Sequence, residues 1–252
     1  MGNILHGDCQ IHMKNVKDNS VDAIITDPPY GMGKGKWDVW NDDLAKWLVD
    51  EALRVLKPGG SFYMFGKNET IASMWNIFKP LTPRWLTWHY RNASNINHNT
   101  WGWNSQVIVY GYKPGLVTFN LDEARIPYSG NTNTKRVNHD DSTSRFGIKK
   151  NGKSSKKYHD KGRKPLDVIE VPAVTAGIAK KEGRWHPTQK PLDLMNMLVK
   201  VSTNEGEFVL DPFAGGGTTL VAALNNNRKC LGFEKNDEYY NNILKRLKVD
   251  KQ

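Results

Sequence analysis

Val209 and Leu210 run directly into Asp211-Pro212-Phe213-Ala214-Gly215-Gly216-Gly217-Thr218-Thr219-Leu220, which reads as an apolar strand, a glycine turn and the start of a helix. This stretch constrains the fold more than any other. A strand that passes through consecutive glycines into a helix belongs to a layered α/β sheet, and its backbone must come close to something bulky. The turn is not a P-loop, because no Lys follows the glycines. Nor is it the dinucleotide fingerprint, because Leu220 stands where the third glycine would be.

Asp211 at the strand end is ill suited to a phosphate and well suited to an ammonium group. A second strand, Lys229 to Phe233, ends in Glu234, where a carboxylate can grip the hydroxyls of a ribose. A ligand made of adenosine joined to a zwitterionic amino acid satisfies these features together, and S-adenosylmethionine (AdoMet) is such a molecule.

A second acidic turn lies early in the chain. The apolar run Ile24-Ile25-Thr26 stops at Asp27-Pro28-Pro29-Tyr30. Each proline fixes its own φ and lacks an N–H, and pushes the residue before it out of the helical region, so Asp27 continues neither a helix nor a ladder. The Asp27 carboxylate and the Pro28 carbonyl are then acceptors left for a ligand amine, and Tyr30 offers a ring on which a base can stack. By itself the turn is also readable as the closure of a buried strand.

The remaining order is an α/β rhythm. Asn3 to His6 reads as a strand ending at Gly7-Asp8, and Ser20 to Thr26 as a buried strand. Apolar spacing predicts a helix from Leu44 to Leu56 stopped by Pro58-Gly59-Gly60, then a strand from Ser61 to Phe65. A helix over Glu69 to Phe78 and strands over Arg84 to His89 and Gln106 to Tyr110 follow. Gly31 to Lys36 alternates glycine with other residues, and its Lys34 and Lys36 suit phosphates.

The chain of 252 residues has a net charge of +10. Much of that excess is local: Lys135 to Lys164 holds eleven basic and three acidic residues among Asn, Ser, Thr, Gly and His. So few aliphatics cannot build a core, and the segment is expected to be an excursion that contacts nucleic acid. Cys9 and Cys230 form no CxxC pair and signal neither a disulfide framework nor a metal site. There is no apolar run long enough for a bilayer and no secretory segment, so a reduced, cytoplasmic setting is expected.

Asp27 to Tyr30 together with Asp211 to Thr219 resembles the amino-methylating DNA methyltransferases, and the order of the pieces resembles their β class: catalytic motif first, target recognition next, AdoMet motif last. Gly7-Asp8, Trp37-Asp38, Arg54 to Gly60 and His186 to Pro191 extend the resemblance over nearly the whole chain apart from the basic insert.

The resemblance implies a Rossmann-like α/β AdoMet-dependent methyltransferase fold: a mixed sheet with helices on both faces, circularly permuted motif order and a basic target-recognition insert. The catalytic and AdoMet-binding domain would be residues 1–127 and 165–252, with the insert at 128–164. Asp27, Pro28, Pro29 and Tyr30 would be catalytic. Asp8, Cys9, Asp27, His186, Thr188, Lys190, Asp211, Phe213, Ala214, Gly215, Gly217, Thr218 and Glu234 would hold AdoMet, with S-adenosylhomocysteine as product. Lys190 could pair with the carboxylate of the methionine part or serve only at a helix start.

DNA contacts would come from Lys34, Lys36, Lys135, Arg136, Arg145, Lys149, Lys150, Lys153, Lys156 and Lys157. Trp88, Trp101 and Trp103 are further candidates for a base pocket. The activity implied is N6 methylation of adenine in double-stranded DNA after base flipping. Cytosine N4 methylation, where related enzymes more often carry Ser in place of Asp27, stays open. So do an inactive DNA-binding relative and methylation of RNA or glutamine. The resemblance implies no membrane and leaves open a homodimer and a cognate restriction endonuclease.

Overall fold

The run Val21 to Thr26 is buried at every residue, the mark of a strand covered on both faces. In the computed structural model it is strand β2, inside an eight-stranded sheet. The structure describes residues 2–31, 40–92, 99, 101–128, 159–175, 177–178, 183 and 185–249. The strands are β1 (Gly2–His6), β2 (Val21–Thr26), β3 (Leu56–Gly66), β4 (Arg84–His89), β5 (Ser105–Tyr112), β6 (Val168–Glu170), β7 (Phe208–Asp211) and β8 (Lys229–Glu234). The helices are α1 (Cys9–His12), α2 (Asp42–Val55), α3 (Asn68–Met74), α4 (Leu192–Ser202), α5 (Thr218–Asn225) and α6 (Asp237–Val249).

The sheet order is β1-β8-β7-β2-β3-β5-β4-β6. The first five strands run parallel, β5 is antiparallel to β3 and β4, and β6 pairs parallel with β4. Ala23 and Ile25 pack with Leu194, Leu198, Leu220 and Ile243, which brings α4, α5 and α6 onto one face. Ile24 packs with Leu48, Val49, Ala52 and Ile71, which places α2 and α3 on the other. The period of two in β2 therefore builds both layers. This is the mixed sheet with helices on both faces that the resemblance implied.

Local chemistry sets the boundaries. The Asn41 side chain accepts from Leu44 N–H at 2.9 Å, and Asp42 and Asp43 sit at the positive end of α2. Ala45, Leu48, Val49 and Ala52 form its buried stripe. The helix ends at Val55, and the chain turns at once into β3, which starts at Leu56 rather than Ser61. Pro58-Gly59-Gly60 lies inside that strand. Lys57 is forced extended by the proline after it, and Gly59 sits at φ +82 with Leu116 O only 1.9 Å from where a Cβ would be.

The Glu69 to Phe78 expectation also shifts. Helix α3 ends at Met74 and continues as a 3-10 turn over Trp75–Leu81 that contains Pro80, whose missing N–H bars a helical bond from that residue. Buried Asp22 accepts from Lys57 Nζ at 2.7 Å and from Phe208 N–H at 2.9 Å, tying β2 to both neighbouring strands. Arg54 donates to Met13 O and Val16 O, both at 2.7 Å, and so holds the connection that leads into β2. No helix among the described residues is long and apolar enough to cross a membrane.

Candidate active site

Four carboxylates lie at the carboxyl ends of four adjacent parallel strands: Asp8 after β1, Glu234 closing β8, Asp211 closing β7 and Asp27 after β2. From β7 the chain order runs outward to β8 on one side, whereas β2 continues to β3 on the other. The gap between β7 and β2 is therefore a topological switch point, the place where open α/β sheets bind ligands. A cavity of about 800 Å³ opens there, walled by these carboxylates, the glycine turn and the His186 to Lys190 turn.

Asp211 is 3 % exposed, and its Oδ1 accepts from Thr26 Oγ1 at 2.8 Å and from Phe213 N–H at 3.1 Å. Burial pushes its carboxyl up to about 6, against the pull of the Thr219 and Thr26 hydroxyls and the Phe213 amide. A buried acid raised this far is one that a cation entering the cavity would stabilise. Glu234 is also raised by burial. Its Oε2 accepts from Gly215 N–H and its Oε1 from Asn236 N–H, both at 2.8 Å, so one carboxylate shapes the glycine turn and keeps lone pairs for a ligand.

Gly215 lies at φ +52 and lines the cavity. Phe213, Ala214 and Thr218 line it as well. Gly217 is not among the lining residues. It sits at φ +71 as the cap of α5, with Ile243 3.0 Å from where a Cβ would be, so its task is to turn the chain into the helix. Arg246, almost wholly buried on the last helix, donates to Gly216 O at 2.7 Å and Thr218 Oγ1 at 2.9 Å. It supports the turn from beneath.

At the β1 end, Asp8 caps α1 through Gln10 N–H at 2.9 Å and pairs with Lys235 at 2.9 Å. Burial pushes its carboxyl up, but Lys235 and the Gln10 amide outweigh this and hold it low. The Cys9 thiol is pushed up to about 12 by burial and by Asp8, so it stays neutral and acts as an apolar wall. On the opposite side His186 meets Tyr239 edge-on at 4.2 Å between centroids. Its Nδ1 is 3.1 Å from Thr188 Oγ1.

The Asp27 turn differs from its expected free state. Its carboxylate is engaged on both oxygens: Tyr30 OH donates to Oδ1 and the Lys190 ammonium to Oδ2. The Tyr30 hydroxyl in turn receives Gln106 Nε2 from β5. Burial and the Asp27 charge push that phenol well above its usual range, which keeps it protonated as a donor. Pro28 and Pro29 complete the wall. Lys190, 6 % exposed and 5.1 Å from the Phe65 ring centroid, thus pairs with the acidic turn in this structure. A helix start alone does not describe it, although α4 does begin two residues later at Leu192.

Trp88 is a core residue rather than part of a base pocket. It is 4 % exposed, packs edge-on against Phe65 and donates from Nε1 to Val171 O at 2.8 Å. Trp101 and Trp103 are exposed at 93 % and 57 %, and neither lines the cavity. Lys34, Lys36, Lys135, Arg136, Arg145, Lys149, Lys150, Lys153, Lys156 and Lys157 lie outside the described residues. The positions flanking the basic segment do meet: Ile126 and Arg163 form an antiparallel bridge, and Lys161 pairs with Asp122 at 3.0 Å. Gln106, Lys235, Tyr239 and Arg246 were not singled out in the sequence. Each contributes through a partner far along the chain, and none belongs to a local motif.

Residues 21–245 match the N6_N4_Mtase family, described as DNA methylase. The chain is 31 % identical to the type II methyltransferase M.HpaI of Haemophilus parainfluenzae, over 93 % of this chain and 70 % of that protein. It is 32 % identical to the DNA adenine methyltransferase YhdJ of Escherichia coli (strain K12), over 98 % of this chain and 82 % of that one. Among solved structures, the M1.HpyAVI-SAM complex superposes with a TM-score of 0.66 at 25 % identity, covering 98 % of this chain and 100 % of that one. With this match running through both acidic turns and the sheet that joins them, the chain belongs to the N6/N4 DNA methylase family.

Proposed function

We propose that this protein is an AdoMet-dependent DNA methyltransferase that modifies the exocyclic N6 of adenine. The observation that carries the reading is the meeting of the Asp27-Pro28-Pro29-Tyr30 turn and the Asp211 to Thr218 turn in one cavity at the switch point of the sheet. Asp211 offers a buried carboxylate for an ammonium, Glu234 one for ribose hydroxyls, and Asp8 with Cys9 a place for the adenine ring. When bound there, AdoMet supplies an electrophilic methyl group on a sulfonium.

The chain's own residues prepare the nucleophile. The lone pair of an exocyclic amine is delocalised into its base, so the amine needs acceptors that favour a pyramidal nitrogen. The Asp27 carboxylate and the Pro28 carbonyl serve as those acceptors, and Asp27 or water takes the proton lost after transfer. Tyr30, pinned by Gln106, orients Asp27 and presents its ring to the flipped base. Aspartate rather than serine at the head of the turn favours adenine over cytosine, as does similarity to a relative named as an adenine methyltransferase. Incubation with unmethylated DNA and AdoMet followed by nucleoside mass spectrometry tests this directly. N6-methyladenine is expected; N4-methylcytosine, or no methylated base, would overturn it.

The raised acid at Asp211 gives a pH signature. Only its ionised form pairs with the ammonium of AdoMet, so AdoMet affinity should fall about tenfold between pH 7 and pH 5, across its value of about 6. Asp211→Asn should flatten that profile. Stability of the unliganded protein moves the other way. The folded state holds this proton more tightly than the unfolded chain, so stability declines by about 3 kcal/mol as pH rises from the ordinary 3.8 through about 6. Titration calorimetry across that range checks the first, and denaturant melts of wild type against the Asn variant check the second.

Residues 128–164 form the DNA-recognition insert in this reading, and 1–127 with 165–252 the catalytic domain. The support is the net charge of the segment and the bridge that closes its two flanks. Replacing Lys149, Lys150, Lys153, Lys156 and Lys157 with Ala should weaken duplex DNA binding and flatten its salt dependence, since each lost phosphate contact removes a slope of about 0.9 in log K against log salt. AdoMet affinity should hardly change. Superimposable salt plots for wild type and variant would move the DNA contact elsewhere, to the stretch of sequence carrying Lys34 and Lys36.

A further inference from the structure

Among the described residues two lysines line the cavity, and each is paired with one of its acids: Lys235 with Asp8, and Lys190 with Asp27. The second pair has a consequence for binding order. Asp27 carries a hydrogen bond on each oxygen, one from the Tyr30 hydroxyl and one from the Lys190 ammonium. In that state it is a weaker acceptor for an incoming amine, because the ammonium takes one of its lone pairs and neutralises its charge, whereas Glu234 is bound only by neutral amides.

The full strength of Asp27 as an acceptor returns when a charged or hydrogen-bonded partner gives way. Tyr30 lies three residues from Asp27, and its hydroxyl is held from the far side by Gln106 of β5. Lys190 reaches in on a flexible stem from the turn before α4, with Nζ also 3.4 Å from Thr188 O and 3.4 Å from Tyr30 OH. The lysine is the mobile partner. A sulfonium brought up to Asp27 would repel it, and the carboxylate of an amino acid entering this acid-lined cavity would attract it.

We infer that Lys190 is an ion-pair latch on the catalytic carboxylate, which transfers to the carboxylate of AdoMet when the cofactor binds and so frees Asp27 for the target amine. Lys190 is then a positioning residue that couples cofactor occupancy to base capture. The inference rests on the reading of this cavity as the AdoMet site. A protein whose binding-competent form is a minority binds more weakly by that fraction, so breaking the latch in advance should tighten the cofactor.

Calorimetry of the full chain with S-adenosylhomocysteine, which keeps the ammonium and carboxylate but lacks the sulfonium, tests this on wild type, Asp27→Asn, Lys190→Met and the double variant. Asp27→Asn should bind on the order of tenfold more tightly. Lys190→Met should bind more weakly than wild type, and the double variant should match Lys190→Met. Removing a negative charge acts on the ligand's ammonium and carboxylate with opposite signs whether or not Lys190 is present, so tightening that requires Lys190 carries the sign of the latch. Asp27→Ser, which removes the carbonyl acceptor as well, should behave as Asp27→Asn, and thermal melts establish that each variant is folded.

Unchanged or weakened binding in both folded Asp27 variants would overturn the latch. So would tightening that persists without Lys190. If wild type takes up no S-adenosylhomocysteine, the cofactor reading itself fails and the latch falls with it, an outcome distinct from binding with additive effects.

Discussion

Asp27→Ala is expected to reduce methyl transfer by about a hundred- to a thousandfold, the loss of roughly 3–4 kcal/mol of transition-state stabilisation that follows removal of a preorganised partner. Two things disappear together: the proposed acceptor for the amine, and the anchor of the Tyr30 hydroxyl and Lys190. AdoMet binding should survive, because the acids proposed to face the cofactor, Asp211 and Glu234, have their own supports in Thr26, Phe213, Gly215 and Asn236. Single-turnover methylation separates the chemical step from release, and calorimetry reports the cofactor. Turnover at the wild-type rate would remove Asp27 from the mechanism.

Gly215→Val should abolish measurable AdoMet binding, a loss of about a hundredfold or more. The native backbone here is at φ +52, where a β-branched residue is strained by about 1–2 kcal/mol, so the turn must rearrange. Rearrangement withdraws Gly215 N–H from Glu234 Oε2, and with it the carboxylate proposed to hold the ribose. The void itself is not the obstacle, since a Cβ at this position would meet His186 only at 3.9 Å. The variant should therefore fold, with a melting temperature lower by about 2–8 °C, and fail to bind. Calorimetry on the folded variant decides it: unchanged affinity would make the glycine turn purely structural.

Part of this architecture was legible because it is written in short-range signals. The alternation and burial of Val21 to Thr26, the capped stripe of Asp42 to Val55 and the glycine turn after β7 each depend on residues a few positions apart, where backbone preference and side-chain period act directly. Element ends were less legible. Pro58-Gly59-Gly60 reads as a helix stop and a gap, yet it sits inside β3, because the space Gly59 needs is set by Leu116 from another segment.

The site divides along the same line. The sequence put Asp8, Asp27, Asp211 and Glu234 each at or just past the end of a strand, and the order and direction of the strands brought those ends to one edge of the sheet. Tertiary structure alone decided what each acid touches. Lys190 meets Asp27 across 163 positions, Gln106 reaches Tyr30 across 76, and Arg246 reaches back 30 positions from the last helix to hold Gly216 O. Trp88 turned inward for the same reason. Periodicity and motif spacing report which way the backbone goes, whereas the partner of a buried charge is fixed by which distant segments are folded against it, where low dielectric makes an unpaired group costly.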